Sequence, residues 1–178
     1  ENFNKERGTK IVSLGGVHIE PLGVYSKNYK SLDELKDGDE VIIPNDATNG
    51  ARALKLLEEN NVIKLKADAG LEATEKDIAE NPKNLKFTPV EAATIPRAYE
   101  DAAIAVINSN YALEANLSPK KDAIATEKAE GNPFANVIAA READKDNETY
   151  KKVLEAFQSD EVKKYIEEKF EGEIIPAK

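Results

Sequence analysis

The sequence contains no cysteine and only one histidine, and both absences narrow the chemistry available to it. Without cysteine, the chain can form no disulfide bond and can offer no thiolate ligand to a metal ion. A single imidazole cannot build a metal centre that requires several histidines. We therefore expect no thiolate or multi-histidine metal site in this chain, and the sequence indicates no cofactor.

Long apolar segments and the common nucleotide-binding and hydrolase motifs are absent as well. No stretch approaches the ~20 apolar residues of a membrane-spanning helix, and no apolar segment opens the chain. The sequence has no G-x-S-x-G, no P-loop and no G-x-G-x-x-G. The hydrolase and dehydrogenase interpretations therefore have no motif to support them.

An excess of basic residues is also missing, because the formal net charge is -9 at pH 7. A nucleic-acid-binding surface needs clustered lysine and arginine, whereas the basic residues here are interspersed with acidic ones. We therefore expect no nucleic-acid partner. The 178 residues, 40% of them hydrophobic, suffice for one compact domain or two small lobes with a core.

The stretch around which the chain is organised is Val41–Leu57, VIIPNDATNGARALKLL. It reads as a strand that Pro44 stops, a polar turn with N-cap formers, and a helix that begins at Asn49. Gly50 allows the backbone to approach a neighbouring group closely. Arg52 follows at the helix entry, where unpaired N–H groups and the helix dipole favour an anion. The stretch predicts a carboxylate-binding site, although an ordinary loop with a surface arginine fits the same pattern.

The remaining pattern predicts an α/β protein with a mostly parallel sheet covered by helices. The predicted strands lie within Ile11–Ser26, which holds two, and at Glu40–Ile43, Leu85–Pro89, Ile104–Ile107, Ala123–Thr126 and Phe134–Arg141. The predicted helices are Asn49–Asn60, Ala98–Ala102, Ala112–Asn116, Asn147–Phe157 and Ser159–Phe170, with an interruption at Ile95–Arg97. The last two helices are amphipathic, and we expect their apolar faces to be packing surfaces.

Two asparagines, Asn108 and Asn136, lie on or next to predicted strands, where they could line a ligand-binding crevice of the sheet. Asn108 follows the apolar run Ile104–Ile107, and open α/β sheets bind ligands at the carboxyl ends of their strands. Asn136 lies in the middle of a predicted strand, so we expect its amide to be buried and hydrogen-bonded. An arginine fork suits a carboxylate and an asparagine carbonyl accepts from an ammonium, which is the ligand chemistry of an amino acid. The candidate site residues are His18, Asn49, Arg52, Asn108 and Asn136.

His18 supports a second interpretation, because Glu20 stands two residues later in VHIEP. On a strand both side chains would face the same way, which suits an acid/base pair or a weak metal site. A histidine that is merely hydrogen-bonded to a carboxylate fits the same spacing. An α/β enzyme that uses His18 and Glu20 therefore stays open beside a binding protein.

Six segments follow one another along the chain, namely VHIEPLGVYS, VIIPNDATNGARAL, NPKNLKF, AVINSNYAL, PFANVIAAR and FQSDEVKKYIEEKF. In their order and spacing they resemble the NlpA/MetQ family of methionine-binding lipoproteins, and the resemblance runs along almost the whole chain. It implies the type II periplasmic-binding-protein fold, in which two α/β lobes joined by crossing strands close on a ligand. We expect residues 1–22 and 137–178 to form part of lobe I and residues 23–136 to form lobe II.

The resemblance also implies a function, because family members are the substrate-binding components of methionine ABC importers. We expect the protein to bind L- or D-methionine and to deliver it to the permease without catalysing a reaction. The resemblance implies that His18, Arg52, Asn108 and Asn136 line the methionine site, with Arg52 on the carboxylate and the asparagines on the polar amino-acid groups. It further implies a lipid anchor upstream of this chain and a place at the outer face of the cytoplasmic membrane.

The chain departs from the family pattern at two places. Ala47 and Ala51 stand where the family usually has proline and a second glycine, and because both are small we expect the loop path to survive. The chain also opens with what reads as the end of a helix, whereas family members carry a further half-lobe ahead of the position of Glu1. That half-lobe supplies aromatic residues around the methionine thioether, at ~0.3–1.5 kcal/mol per contact.

The expected loss of these contacts affects binding and leaves an alternative open. We expect this chain alone to bind methionine weakly or not at all, unless a separate N-terminal fragment completes the site. Because the residues that read the ligand side chain would lie mostly in that fragment, a paralogue for another amino acid or a short peptide fits the same sequence.

Overall fold

A computed structural model describes residues 2–128 and 132–177. Packing divides the chain into two units. Unit 1 takes its described residues from Glu1–Glu20 and Ala129–Lys178, and unit 2 is Pro21–Lys128. The boundaries predicted from the sequence, 22/23 and 136/137, lie further along the chain. The assignment of the two units to lobes I and II stays a prediction.

Helices and strands alternate along the chain, which confirms the predicted α/β class. The helices are α1 (Asn2–Arg7), α2 (Ala47–Glu59), α3 (Ile95–Ala98), α4 (Ser109–Glu114), α5 (Glu148–Phe157) and α6 (Asp160–Phe170). The strands are β1 (Ile11–Ile19), β2 (Gly23–Tyr25), β3 (Glu40–Pro44), β4 (Lys64–Leu65), β5 (Ile78–Glu80), β6 (Lys86–Val90), β7 (Ile104–Ile107), β8 (Ala123–Thr126), β9 (Asn136–Arg141) and β10 (Ile175–Pro176). Within residues 2–128 and 132–177, no helix has the length and apolar character needed to cross a membrane.

Unit 2 is built on a five-stranded sheet in the order β6-β3-β7-β2-β8. Strand β3 pairs in parallel with β6 and β7, whereas β2 is antiparallel to β7 and β8. The prediction of a mostly parallel sheet is therefore correct only for the β6-β3-β7 part. Strand β2 enters the sheet directly where the chain passes into unit 2, without the long crossover that a parallel neighbour requires.

The core of unit 2 surrounds β7 and α2. All four residues of β7 are fully buried, as the apolar run Ile104–Ile107 predicts. On α2, Leu54, Leu56 and Leu57 are almost completely buried in the same cluster as Val41 of β3. This packing holds the beginning of α2 close to the carboxyl ends of the central strands.

Helix α2 begins at Ala47, two residues before the predicted start at Asn49. Asp46 is its N-cap, because the carboxylate accepts from the Asn49 backbone N–H at 2.9 Å. Gly50 lies so close to the end of β3 that an added Cβ would stand 2.9 Å from the Pro44 carbonyl oxygen. The close approach expected at Gly50 is therefore to the protein's own backbone.

The helix prediction around Pro96 is wrong. Helix α3 includes Pro96 in its first turn, where a missing N–H removes no intrahelical hydrogen bond. The predicted helix Ala98–Ala102 does not form, because the chain turns after Ala98, with the Asp101 N–H donating to the Ala98 carbonyl at 3.1 Å. This turn leads directly into the buried strand β7.

Unit 1 contains a three-stranded antiparallel sheet in the order β10-β1-β9. Strand β9 starts at Asn136 and not at Phe134, so Asn136 is at the strand end and is exposed, in contrast to the buried position predicted for it. Helix α5 packs on β1 through Leu154 and through Gln158, whose side-chain amide donates to the Gly16 carbonyl at 2.8 Å.

The expectation that the apolar faces of the two tail helices are packing surfaces is only partly correct. Ile166 of α6 is buried, as expected. In contrast, Tyr150, Val153 and Phe157 of α5 and Tyr165 of α6 are between 37% and 60% exposed within the described chain.

Gly50→Ala is predicted to lower the free energy of unfolding by about 1–2 kcal/mol. The new methyl group would press on the Pro44 carbonyl, and because this neighbour is backbone, the overpacking costs about 2–3 kcal/mol, the upper part of the usual range. About 1 kcal/mol is gained from the better helix former. Urea denaturation measures the change. Glu59→Ala, at the exposed end of the same helix, is the control and should stay within about 0.5 kcal/mol. An unchanged or more stable Gly50→Ala would contradict the close approach.

Candidate functional site

Arg52 lies in the second turn of α2 and is only 8% exposed. Its guanidinium faces the carboxylate of Glu127, the residue that follows β8 directly. Nε donates to Oε1 at 3.0 Å and Nη2 donates to Oε2 at 2.6 Å, which is a bidentate pair. The two side chains are 9% and 10% exposed, so solvent screens their charges little.

Glu127, near the end of unit 2, is also hydrogen-bonded to Leu22, near its beginning. Its Oε2 accepts a further hydrogen bond from the Leu22 N–H at 3.0 Å, and the Glu127 N–H donates to the Leu22 carbonyl at 2.9 Å. Beside them, the Ser109 hydroxyl donates to the Pro21 carbonyl. The carboxylate that binds Arg52 is thereby fixed where the chain enters unit 2 and where it leaves it.

Asn49 connects Arg52 with Asn108. Its side-chain NH₂ group donates to both carboxylate oxygens of Asp46 at 3.1 Å, so the amide orientation is fixed and Oδ1 is its acceptor. That Oδ1 accepts from Arg52 Nη1 at 3.3 Å and from Asn108 Nδ2 at 3.0 Å. The N-cap aspartate therefore determines how both asparagine amides are oriented.

Asn108 has one polar atom left over in this arrangement. Because its Nδ2 donates to Asn49, its Oδ1 points elsewhere, and this oxygen is buried without a hydrogen-bond donor among the described residues. A buried acceptor without a donor costs about 1–3 kcal/mol, so such atoms are few in native proteins. The group combines a buried guanidinium with a buried acceptor that can receive a hydrogen bond from a ligand.

These polar groups meet at one edge of the sheet because β3 and β7 are parallel neighbours. Asp46 and Asn49 follow the end of β3, and Asn108 follows the end of β7. The carboxyl ends of parallel strands are where open α/β sheets usually bind ligands. Asn108 therefore lies at the strand end that the sequence predicts, while its role towards a ligand stays a prediction.

Unit 1 has a polar group of its own around Glu20. His18 Nε2 and Glu20 Oε1 are 2.8 Å apart, with both side chains 27% exposed, so the pair that the spacing suggests is formed. His18 and Asn136 are direct cross-strand partners on β1 and β9. Asn136 Nδ2 lies 3.5 Å from the same Glu20 oxygen, which is the outer limit for a hydrogen bond.

The five candidate residues thus fall into two groups, with Asn49, Arg52 and Asn108 in unit 2 and His18 and Asn136 in unit 1. Glu127, the partner of Arg52, is the residue that sequence reasoning missed. It stands in the mixed-charge run TEKAE, where nothing distinguishes one carboxylate from its neighbours. Its only signal is its place directly after a short strand.

Two cavities among the described residues of unit 1 are lined by residues other than the candidates. One of about 380 Å³ is lined by Leu14, Ile138, Ala139, Ala140, Arg141, Asp144, Tyr150 and Val153. Another, more open, of about 720 Å³ is lined by Thr9, Lys10, Ile11, Arg141, Glu142, Ala143 and Lys145. Within residues 2–128 and 132–177, no three histidine or acidic side chains are grouped so that they could hold a metal ion.

Comparison of the sequence with known proteins identifies its relatives. The model of the NlpA lipoprotein family matches residues 1–178. "D-methionine-binding lipoprotein MetQ" of Salmonella typhimurium is 49% identical over 170 residues, which cover 94% of this chain and 62% of the relative. "Outer membrane lipoprotein 3" of Mannheimia haemolytica is 45% identical over 175 residues, or 98% of this chain and 66% of the relative. The chain therefore spans slightly less than two thirds of the length of these relatives.

Solved structures share the fold. A nutrient binding protein from Burkholderia cenocepacia, solved bound to methionine, matches with a TM-score of 0.92 at 51% identity, over 98% of this chain and 73% of that one. A periplasmic substrate-binding protein of an ABC transporter from Coxiella burnetii matches with a TM-score of 0.92 at 42% identity, over 99% and 74%. The predicted periplasmic-binding-protein fold is confirmed.

Arg52→Met is predicted to lower the free energy of unfolding by about 3–5 kcal/mol, because Glu127 would stay buried without its partner. The double variant Arg52→Met/Glu127→Met removes both charges and should lose clearly less than the sum of the single variants. Urea denaturation of the full-length protein and the three variants gives the coupling energy.

The exposed pair Lys27–Glu100, with side chains 55% and 50% exposed, is the matched control for this cycle. Its coupling should not exceed about 1 kcal/mol. Additive losses at Arg52 and Glu127 would contradict a strong buried interaction.

Proposed function

This chain belongs to the NlpA lipoprotein family, and on that premise we propose that the protein is the substrate-binding protein of an ABC importer and binds methionine. The ligand carboxylate binds the Arg52 guanidinium, and the ligand ammonium donates to Asn108 Oδ1. Asn49 holds both side chains in place through its own Oδ1. Hydrogen bonds to charged groups contribute about 1.5–3 kcal/mol each, so these contacts suffice to orient an amino acid.

One observation carries this proposal, namely the buried Asn108 Oδ1 without a donor in the described chain. A hydroxyl or an amide N–H would satisfy this oxygen, but an ammonium gains more because it is charged. The network that orients Asn108 is the same one that holds the buried guanidinium of Arg52. A ligand that carries an ammonium and a carboxylate on neighbouring atoms complements both.

The choice of methionine comes from the relatives and not from the network. One curated relative is named a D-methionine-binding lipoprotein, and one solved structure is of a protein bound to methionine. Arg52, Asn49 and Asn108 recognise groups common to all α-amino acids. A related ligand, another amino acid or a short peptide, therefore remains the alternative within the same class.

Delivery and location follow from the same family relationship. One structural relative is described as the substrate-binding protein of an ABC transporter, which supports an ABC permease as partner. The family and its members are named lipoproteins, which supports a lipid anchor and a place in the cell envelope. One relative is named an outer membrane lipoprotein, so the outer face of the cytoplasmic membrane is our proposal and not the only envelope location in the family.

His18 and Asn136 are proposed to contact the ligand as well, on the strength of their cross-strand pairing and the family resemblance. The His18–Glu20 pair gives a specific basis for the alternative of an enzyme, because a hydrogen-bonded histidine and carboxylate can act in acid/base catalysis. One curated relative is named as a methionine-binding lipoprotein, and we propose that this chain likewise catalyses no reaction.

Isothermal titration calorimetry of the full-length protein with L- and D-methionine tests the leading proposal. Asn108→Ala should weaken binding about 10–100-fold, because it removes a hydrogen bond to a charged group. Asn110→Ala is the matched control, since it changes an exposed asparagine two residues away, and its affinity should match that of the unsubstituted protein. Absence of heat with both enantiomers would refute methionine binding. Equal affinities of Asn108→Ala and Asn110→Ala would refute the contact between the ligand and Asn108.

His18→Ala separates binding from catalysis. If His18 only contributes to the site, the variant binds methionine more weakly and mass spectrometry recovers the ligand chemically unchanged from both proteins. A reaction product that forms with the unsubstituted protein and disappears in His18→Ala would establish the enzyme alternative. Lys66→Ala changes an exposed residue outside the candidate site. This control variant should bind methionine as the unsubstituted protein does.

A further inference from the structure

We propose that Glu127 is a specificity-determining residue, whose buried negative charge makes the site select a net-neutral zwitterion over an anion with the same carboxylate and side chain. The inference rests on the proposed function, because it assigns a role to a residue that binds the proposed carboxylate anchor. It concerns which chemical class of ligand the site accepts.

The charges at the site carry the argument. Arg52 alone would form a buried positive site that attracts any anion that fits. The bidentate pairing with Glu127 reduces the net charge of the pair to zero. An anion is then attracted by Arg52 and repelled by Glu127, whereas a zwitterion brings an ammonium that Glu127 attracts.

Because the Glu127 carboxylate is buried, its charge acts strongly on a bound ligand. The Arg52 and Glu127 side chains are 9% and 10% exposed, so their fields reach a ligand with little screening by solvent. The other carboxylate of the network, that of Asp46, is exposed at the helix cap. Its charge is screened by water and salt, so Asp46 contributes less to the choice of ligand.

The Glu127 carboxylate is held in position by several hydrogen bonds, so it stays in place when a ligand binds. Its carboxylate accepts from Arg52 Nε and Nη2 and from the Leu22 N–H, and its own N–H donates to the Leu22 carbonyl. A fixed charge acts on the ligand without reorganisation, in the same way as a preorganised dipole. The position of Glu127 therefore allows its charge to act on the ligand, in addition to its support of the fold.

Affinities for two ligands test the inference in the full-length protein. The first is L-methionine, and the second is 4-(methylthio)butanoate, which lacks only the ammonium. In Glu127→Gln the preference for methionine over this anion should fall about tenfold or more, because one weakly screened charge–charge interaction is lost. Glu127→Asp keeps the charge and should retain the preference. Glu100→Gln, which removes an exposed carboxylate outside this network, is the control and should change the preference less than about threefold.

The outcomes separate this inference from the proposed function. If the unsubstituted protein does not bind methionine, the proposed function fails and the inference with it. If it binds methionine but Glu127→Gln weakens both ligands by the same factor, only the inference is overturned, because Glu127 then acts on the fold alone.

A second variant covers the case in which circular dichroism shows that Glu127→Gln does not fold. Asn108→Ala removes Oδ1, the proposed acceptor for the ligand ammonium. A preference for methionine that remains in this variant is attributed to the charge of Glu127. A preference of about tenfold or more for methionine over the anion supports the role of Glu127. Equal affinities for the two ligands overturn it.

Discussion

The buried pair of Arg52 and Glu127 is the interaction on which the polar edge of unit 2 depends. Removing two ions from water costs several kcal/mol for each, and their attraction offsets this cost only with good geometry and additional hydrogen bonds. The bidentate contact supplies the geometry, and the Leu22 N–H and the Asn49 carbonyl supply two of the additional bonds. Helix α2, strand β8 and the start of β2 are therefore connected through one ion pair.

A local feature of the helix determines the orientation of more distant groups. Asp46 caps α2 through the Asn49 backbone N–H and holds the Asn49 side-chain amide with the same carboxylate. Because that amide can then only accept elsewhere, Asn108 must donate, and its own oxygen is left for a ligand. A capping interaction thus fixes the donor and acceptor pattern of the candidate site, and with it the polarity of a complementary ligand.

Periodicity and capping residues predicted the elements whose signals are local. The run Ile104–Ile107 is the buried strand β7, and helices α5 and α6 lie within the predicted ranges Asn147–Phe157 and Ser159–Phe170. Two errors have different causes, one local and one tertiary. Pro96 lies inside a helix because its first turn tolerates proline, and β2 is antiparallel because of where the chain enters the sheet.

In the candidate site, too, residues with a local sequence signal could be predicted, whereas those placed by long-range contacts could not. Arg52 and Asn108 could be singled out because a strand end and a helix start are visible in the sequence. Glu127 could not, because its contact with Arg52 joins positions 75 residues apart. The burial of Asn136 was predicted wrongly, since the strand begins two residues later than the apolar pattern suggests and leaves this side chain exposed.

A crystal structure of the full-length protein with bound methionine tests the central claim most directly. The account predicts the ligand carboxylate within hydrogen-bond distance of the Arg52 guanidinium and the ligand ammonium within the same distance of Asn108 Oδ1. A methionine that binds elsewhere, or whose ammonium leaves Asn108 Oδ1 without a donor, would contradict it.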